Sequence, residues 1–214
     1  MGDVFATIVD KFRTKQRVDG NTYDAESAED KSLLVSQGLP HYVEMARLGE
    51  GWSVITVSAG AALVVRPSTV ALITLWNGNS TGGKCFIVDR MFAHNLVGVA
   101  NNSYGLWATI HPAGMAKPTD DLVASATNKT GNTGKVYNGL AIADAGATVV
   151  DNGWYPWGLS GHTITITTPG QQIEAIVEGR LIVPPQGGIS ITVVATATGS
   201  TFTTGLSWFE RQLT

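Results

Sequence analysis

A chain of 214 residues, 43% hydrophobic and 14% charged, is long enough for one large domain or two small ones and buries roughly 70% of its unfolded surface when compact. A formal net charge of −3 supplies no basic field for nucleic acid, and a single cysteine excludes an intramolecular disulfide or a multi-cysteine zinc site. The opening MGDVFATIVDKFRTKQRV carries charges throughout, and no window reaches the ~18 uninterrupted apolar residues of a membrane span, so the chain reads as soluble, unexported and without a membrane partner.

Composition breaks near residue 50. Residues 1–50 hold six of the Lys and Arg residues and nine of the Asp and Glu residues, leaving eight of each sign for the rest. Val4, Phe5, Ile8, Val9 and Phe12 recur at helical spacing and predict a short amphipathic helix. VDGNTYDAESAEDKS, which follows, is too poor in large apolar groups to offset the entropy of ordering it, so it is expected to be extended or disordered alone. LLVSQGLPHYVEMARLG (33–49) is apolar again, broken by Gly38 and Pro40 before a short helix at HYVEMARL. Two apolar clusters have no use in an arm meant only to be solvated. The arm therefore reads as a docking element, with Val4, Phe5, Ile8, Val9, Phe12, Leu33, Leu34, Val35, Leu39, Tyr42 and Met45 as its contact residues; the alternative is a frayed tail on residues 51–214, a self-sufficient domain.

From Trp52 the periodicity changes to alternation. WSVITVS (52–58), AALVVRP (61–67), TVALITLW (69–76), KCFIVDRMF (84–92), YGLWATIH (104–111), HTITITT (162–168), QIEAIVEGRLIVPP (172–185), GISITVVATAT (188–198) and TFTTGLSWFE (201–210) are β-branched or aromatic and bounded by Gly, Pro, Asn or Ser. Without a long helix to supply crossovers, these strands predict an all-β, antiparallel, jelly-roll-like sandwich behind the arm. Gly199-Ser200 sits where a hairpin turn belongs, and Pro184-Pro185-Gln186-Gly187-Gly188 separates two strands sharply. Strict alternation in Ile189-Ser190-Ile191-Thr192-Val193 predicts one face packed inward and the other wet or covered by a partner. The sequons at Asn79, Asn101 and Asn128 read as polar loop residues.

GNSTGGKC (78–85) spells all but the last letter of a phosphate-cradling loop, and its first five residues spell G-x-S-x-G. Both devices need a helix next, and CFIVDRMF favours a strand; Cys85 is also a poor magnesium ligand. The segment reads instead as a glycine-rich hairpin loop joining 69–76 to 84–92.

No catalytic constellation is legible. His41, His94, His111 and His162 lack the spacing that puts two imidazoles on one metal, and Asp120-Asp121 and Asp151-Asn152-Gly153 lack the ordered oxygens of a calcium loop. Glu174 and Glu178 would share one face of a strand and offer a conceivable carboxylate pair, although solvated strand glutamates are commoner. Neither metal nor cofactor is implied. Trp154, Tyr155 and Trp157, in the Gly- and Pro-bounded run NGWYPWG (152–158), are the candidate ligand or interface loop: either a flat platform for sugar rings or an aromatic plug over the open end of the sandwich. Trp52, Trp76, Trp107 and Trp208 lie in strand patterns and belong to the core or a sheet edge.

SLLVSQGLPHYVEMARLGEGW in a polar arm, a charge-poor body containing GRLIVPPQGGISITV, and the ending SWFER together resemble the cement or decoration proteins on the outside of tailed-phage capsids. The resemblance spans most of the chain and rests on organisation, not on a diagnostic motif. It implies a non-enzymatic jelly-roll body made in the host cytoplasm and placed on the virion exterior, forming a homo-oligomer (trimer or dimer) whose arms reach the major capsid protein. Several weak arm contacts held together by an oligomer become collectively tight. A carbohydrate- or receptor-binding module of the particle is the alternative.

Overall fold

The computed structural model describes residues 45–46, 49–119, 122, 127–128, 137–163 and 172–213, with the side chains of 127–128 and 158–163 outside that description. Of the arm's contact residues only Met45 falls within it. Met45 and Ala46 are helical and half-buried. Gly49, at φ 71°, closes the turn: its N–H donates to the Ala46 carbonyl and the Glu50 N–H to the Met45 carbonyl, both at 2.9 Å. This is the Schellman closure, which needs left-handed backbone that glycine adopts without a Cβ penalty.

Two antiparallel sheets follow, packed as a β-sandwich. One holds β1 (Gly51–Ile55), β2 (Gly60–Ala61), β4 (Cys85–Val97), β6 (Thr127–Asn128), β9 (Gln172–Val183) and β11 (Thr201–Arg211), in the order β6-β1-β11-β4-β9 with β2 also on β11. The other holds β3 (Ile73–Asn77), β5 (Asn102–His111), β7 (Ala141–Ala145), β8 (Tyr155–Thr163) and β10 (Gly188–Ala195), in the order β7-β3-β10-β5-β8. Alternation sets the inner faces. Ile73 and Leu75, Leu106 and Ala108, and Ile189, Ile191 and Val193 from one sheet meet Phe86, Val88, Phe202, Leu206 and Trp208 from the other in a single buried cluster. Tyr104 and Phe202 meet edge-on across it, ring centroids 4.9 Å apart.

The connections differ from the sequence expectation. The 78–84 loop and Gly199-Ser200 are not hairpin turns: β3 and β4 lie in different sheets, as do β10 and β11. The 184–187 turn also crosses, from β9 to β10. Glycine-rich chain reverses direction equally well within a sheet or between sheets, so turn chemistry alone does not choose. Buried asparagines stitch these crossings. The Asn77 amide donates to the carbonyls of Lys84 and Val183 at 2.9 and 3.2 Å, so one side chain on β3 holds the start of β4 and the end of β9. No helix follows Gly83-Lys84, and β4 begins at Cys85, so the phosphate-loop and nucleophile-elbow spellings lack the geometry they need.

Other strands shift in extent. Of the expected 61–67 strand only Ala61 is strand, in β2, with Leu63 making an isolated bridge to Val194. HTITITT overlaps the end of β8 through Thr163 and otherwise lies outside the described residues. β7, an alanine-rich AIADA, and β8 up to Gly161, whose first residues 155–158 fall inside the run taken as an aromatic loop, were not expected as strands.

Bulges line up across the six-stranded sheet. Registers slip between Ser207 and Trp208 on β11 and between Val88 and Arg90 on β4, and residues 177–180 of β9 face the same place. Asp89 is the extra residue, which is why β4 buries Phe86 and Val88 and then Met91 and Ala93. A bulge adds twist, and two side by side, at Asp89 of β4 and at 177–180 of β9, bend the sheet around the core. Beyond the bulge, Gly205 lies between Ile55 and Phe92 in register. A Cβ there would sit 2.5 Å from the Val54 carbonyl oxygen and against the Phe92 ring. Gly205→Ala is expected to lose about 1–3 kcal/mol, the range for forced overpacking, because backbone cannot swing aside; urea denaturation checks it, and an unchanged midpoint would count against the close approach.

The outer face of the five-stranded sheet is covered by the chain itself. The β3–β7 ladder runs on past Ile73 and Ala145 with 146–149 beside 69–72, Gly146 N–H to Leu72 O at 3.1 Å, Ala71 N–H to Ala147 O at 3.1 Å and Val149 N–H to Thr69 O at 2.9 Å, and from its end Asn152 reaches His111 on the outer face. Ala71, Ala147, Val149 and Trp154 form a second small core with Trp107 and Met115 against it. Ser190 and Thr192 are 0% exposed. The expected wet or partner-covered face of β10 is thus closed by intrachain segments.

Candidate functional site

The aromatic run is divided between two environments. Trp154 is 4% exposed, its indole N–H donates to the Ser68 carbonyl at 2.9 Å, and its ring belongs to the small outer core. Tyr155 and Trp157 lie on β8, half-buried against the main core, with ring centroids 5.6 Å apart and planes at 60°. The Arg180 guanidinium carbon stands 5.7 Å from the Trp157 ring centroid, a cation–π contact that caps this ring from β9. Burial pushes the Tyr155 hydroxyl pKa upward. A sugar platform needs open, nearly parallel faces. These three side chains are not gathered into one, and Trp154 serves as a rivet for the cover.

The most connected polar site is one that sequence spacing did not reveal. Thr74, Ser190 and Thr109 stand opposite one another across β3, β10 and β5 on the covered face, with Asp144 of β7 opposite Thr74. His111, two residues along from Thr109 and 1% exposed, places Nε2 2.8 Å from Ser190 Oγ and Nδ1 2.6 Å from Asn152 Oδ1. Ser190 Oγ lies 2.8 Å from Thr74 Oγ1. Asn152–His111–Ser190 has the hydrogen-bond order of an orienter, a base and a nucleophile. Ser190 is sealed at 0% exposure, and Thr74 already occupies its hydroxyl. The arrangement fastens the cover to the sheet and presents no reacting atom to a substrate. Burial lowers the His111 pKa below 6.5, opposed in part by the Asn152 bond.

Next to this network, Arg66 and Asp151 form a two-pronged ion pair, with Nη1 to Oδ2 at 2.7 Å and Nη2 to Oδ1 at 3.3 Å. The Arg66 bond, then the Gly153 N–H, hold the Asp151 carboxyl down at about 2. A groove of ≈ 500 Å³ runs between 112–116 and 148–152, lined by Pro112, Met115, Val149, Val150 and Asn152. On the six-stranded sheet, Glu210 is 6% exposed; its Oε1 accepts from the Tyr137 hydroxyl at 2.6 Å and the Trp208 indole at 3.3 Å, and Lys84 Nζ lies 4.0 Å from Oε2. This carboxylate floors a cleft of ≈ 250 Å³ with Glu50, Trp52 and Asn138. Tyr137 packs edge-on against Trp52 at 4.9 Å, so Glu210 anchors a ring that closes the core.

The proposed carboxylate pair does not assemble. Glu174 is ion-paired with Arg90, whereas Glu178, at φ 51°, sits in the β9 bulge beside Gly179 at φ 75°. Arg180 staples that bulge through bonds to the carbonyls of Val177 and Ile176, both at 3.1 Å. Among the described residues, no group of three or more His, Cys, Asp or Glu is placed to hold a metal, and no helix is long and apolar enough to cross a membrane. Asp120-Asp121, His41 and the contact residues Val4, Phe5, Ile8, Val9, Phe12, Leu33, Leu34, Val35, Leu39 and Tyr42 lie outside the described residues.

Among solved structures the chain is similar to one from the structure of a marine algae virus of the order Picornavirales, at 9% sequence identity, covering 92% of this chain and 84% of that chain with a TM-score of 0.27. A likeness that slight carries no argument about fold or function. No protein-family model matches the chain, and no curated protein matches it.

One signal for the His111 network was present in the sequence. Thr74, Ser190 and His111 each occupy the polar position of an otherwise apolar alternation. Alternation identifies such a residue as facing away from the main core without saying that a second layer covers it.

Proposed function

We infer that this chain is a structural, non-enzymatic virion protein: a jelly-roll body that decorates the outside of a phage capsid as a homo-oligomer, with residues 1–50 docking on the major capsid protein. The observation that carries the reading is the strand order. With β2, β6 and β7 set aside, the eight remaining strands pair first with last (β1–β11), second with next-to-last (β3–β10), then β4–β9 and β5–β8. The ladders β11–β4 and β10–β5 complete two four-stranded sheets. A hairpin ribbon rolled over itself gives this order, the wrapping of a jelly roll.

Two further features support a scaffold. Among the described residues, buried polar side chains such as Asn77, Ser190 and His111 tie segments of the fold to one another. The outer face of the six-stranded sheet also carries Ile55, Ile176 and Ile182, at 42%, 53% and 42% exposure, which suits a body packed beside others. A sugar-binding role is less well supported, because Trp154 is withdrawn from the surface. Co-sedimentation with undecorated phage heads tests the proposal. The full chain is expected to pellet with the heads, and a chain lacking residues 1–50 to stay in the supernatant while keeping its β circular dichroism. Equal pelleting by the truncated chain would refute the role of the arm, and no pelleting by the full chain would refute decoration of those heads.

A further inference from the structure

His111 joins two parts of the fold that are otherwise held by bonds insensitive to mild acid. It ends β5 on the covered face of the five-stranded sheet, with one ring nitrogen on Ser190 of β10 and the other on Asn152 of the 146–154 cover. The geometry points to a proton-operated latch: neutral His111 pins the 146–154 segment to the sheet, and protonation in mildly acidic solution releases it.

A neutral imidazole has one donor and one acceptor. The chain of bonds uses each proton once when Nδ1–H donates to Asn152 Oδ1, the Ser190 hydroxyl donates to Nε2, and the Thr74 hydroxyl donates to Ser190 Oγ. A second ring proton on Nε2 turns that acceptor into a donor, so Ser190 Oγ must accept from the ring and its own hydroxyl proton loses Nε2 as a partner. It also places a positive charge in a site 1% exposed, against partners that are all neutral. The ionisable groups on the surrounding elements include Asp144 on β7, Tyr155 on β8, Lys117 on the 112–119 segment and the Arg66–Asp151 pair, and neither hydrogen bond of the imidazole goes to any of them. Leaving the cover closed therefore favours the uncharged ring.

The direction in pH follows from linkage. The buried ring has a pKa below 6.5, whereas a ring freed by opening titrates near 6.5, so the open state binds more protons below that pH. Closure is at full strength above 6.5 and weakens as pH falls. The neighbouring tie behaves differently: Asp151 stays ionised down to about 2, and the Trp154–Ser68 bond does not titrate. As pH falls below 6.5 the His111 pin is thus the part of the fastening that changes.

Amide hydrogen exchange on the full chain reads this directly at Ala71, Gly146 and Val149, whose N–H groups bridge the 69–72 and 146–149 seam. After correction for the intrinsic pH dependence of exchange, protection at these amides is expected to fall roughly tenfold per pH unit below 6.5, until the folded-state pKa is reached, while Leu206 in the main core keeps its protection. His111→Gln keeps a neutral side chain able to bond both neighbours and is expected to show flat protection across the same range. An NMR titration of the wild-type ring needs no variant, and the imidazole is expected to titrate below 6.5. Constant wild-type protection, the same fall in His111→Gln, or a buried ring that titrates at 6.5 would each overturn the latch.

Discussion

Trp208→Ala is expected to remove about 3–5 kcal/mol of stability, the range for deleting a large buried aromatic. Against a typical total of about 5–15 kcal/mol, the variant should be partly unfolded in moderate urea where the parent is native. Three losses coincide at this site. Trp208 is 0% exposed, its ring centroid lies 6.1 Å from that of Phe86 and 6.0 Å from that of Tyr137, and its indole N–H donates to Glu210. Truncation therefore opens a cavity, removes two ring contacts and takes a donor from a buried carboxylate. Glu210 would retain Tyr137, which limits the electrostatic part of the cost. Trp208→Phe should recover most of the packing but not the indole bond. A urea midpoint for Trp208→Ala within error of the parent would show that the two sheets do not meet there.

Asn102→Ala is expected to cost about 1–3 kcal/mol, the range for stranding a buried group, because the buried Ser200 hydroxyl and the half-buried Ala197 backbone lose their partner together. Asn102 is 0% exposed at the start of β5. Its amide nitrogen donates to the Ala197 carbonyl at 3.1 Å and to Ser200 Oγ at 2.8 Å; its carbonyl accepts from Thr196 Oγ1 at 2.8 Å and from the Ala197 N–H at 2.9 Å. One side chain thereby supplies the bonds that the connection from β10 to β11 cannot form within either sheet. Asn102→Asp keeps the acceptors and loses the donor to Ala197, so it should fall between parent and alanine variant. Denaturant titration of the three proteins checks the order; a silent Asn102→Ala would mean that this crossing is held by the strands on either side.

Both variants expose a division within the sequence. Trp208 was legible as a core or edge residue, since it sits at an apolar position of an alternating run. Asn102 was not, because an Asn beside Asn101 and Ser103 reads as turn chemistry whether it faces water or the interior. Trp154 misled in the opposite sense: aromatic residues between Gly and Pro suggest an exposed recognition loop, and only the outer core of Ala71, Ala147 and Val149 shows where that ring goes. The candidate ligand loop was therefore legible as a cluster of residue types and not as a surface.

Residue order alone determined that this chain makes short, mostly amphipathic strands with a charge-rich segment ahead of them, because side chains alternate across a strand whatever its partners. It also removed the phosphate-loop reading, since CFIVDRMF suits a strand and β4 begins at Cys85. Tertiary structure decided which strands pair, that the 78–84 and 199–200 turns cross between sheets, and that Ser190 and His111 lie under a second layer. The physical reason is range. Alternation and turn propensity are set by a residue and its immediate neighbours, whereas a ladder such as β1 with β11, or a bond such as Asn152 with His111, depends on which distant segment the folded chain brings alongside.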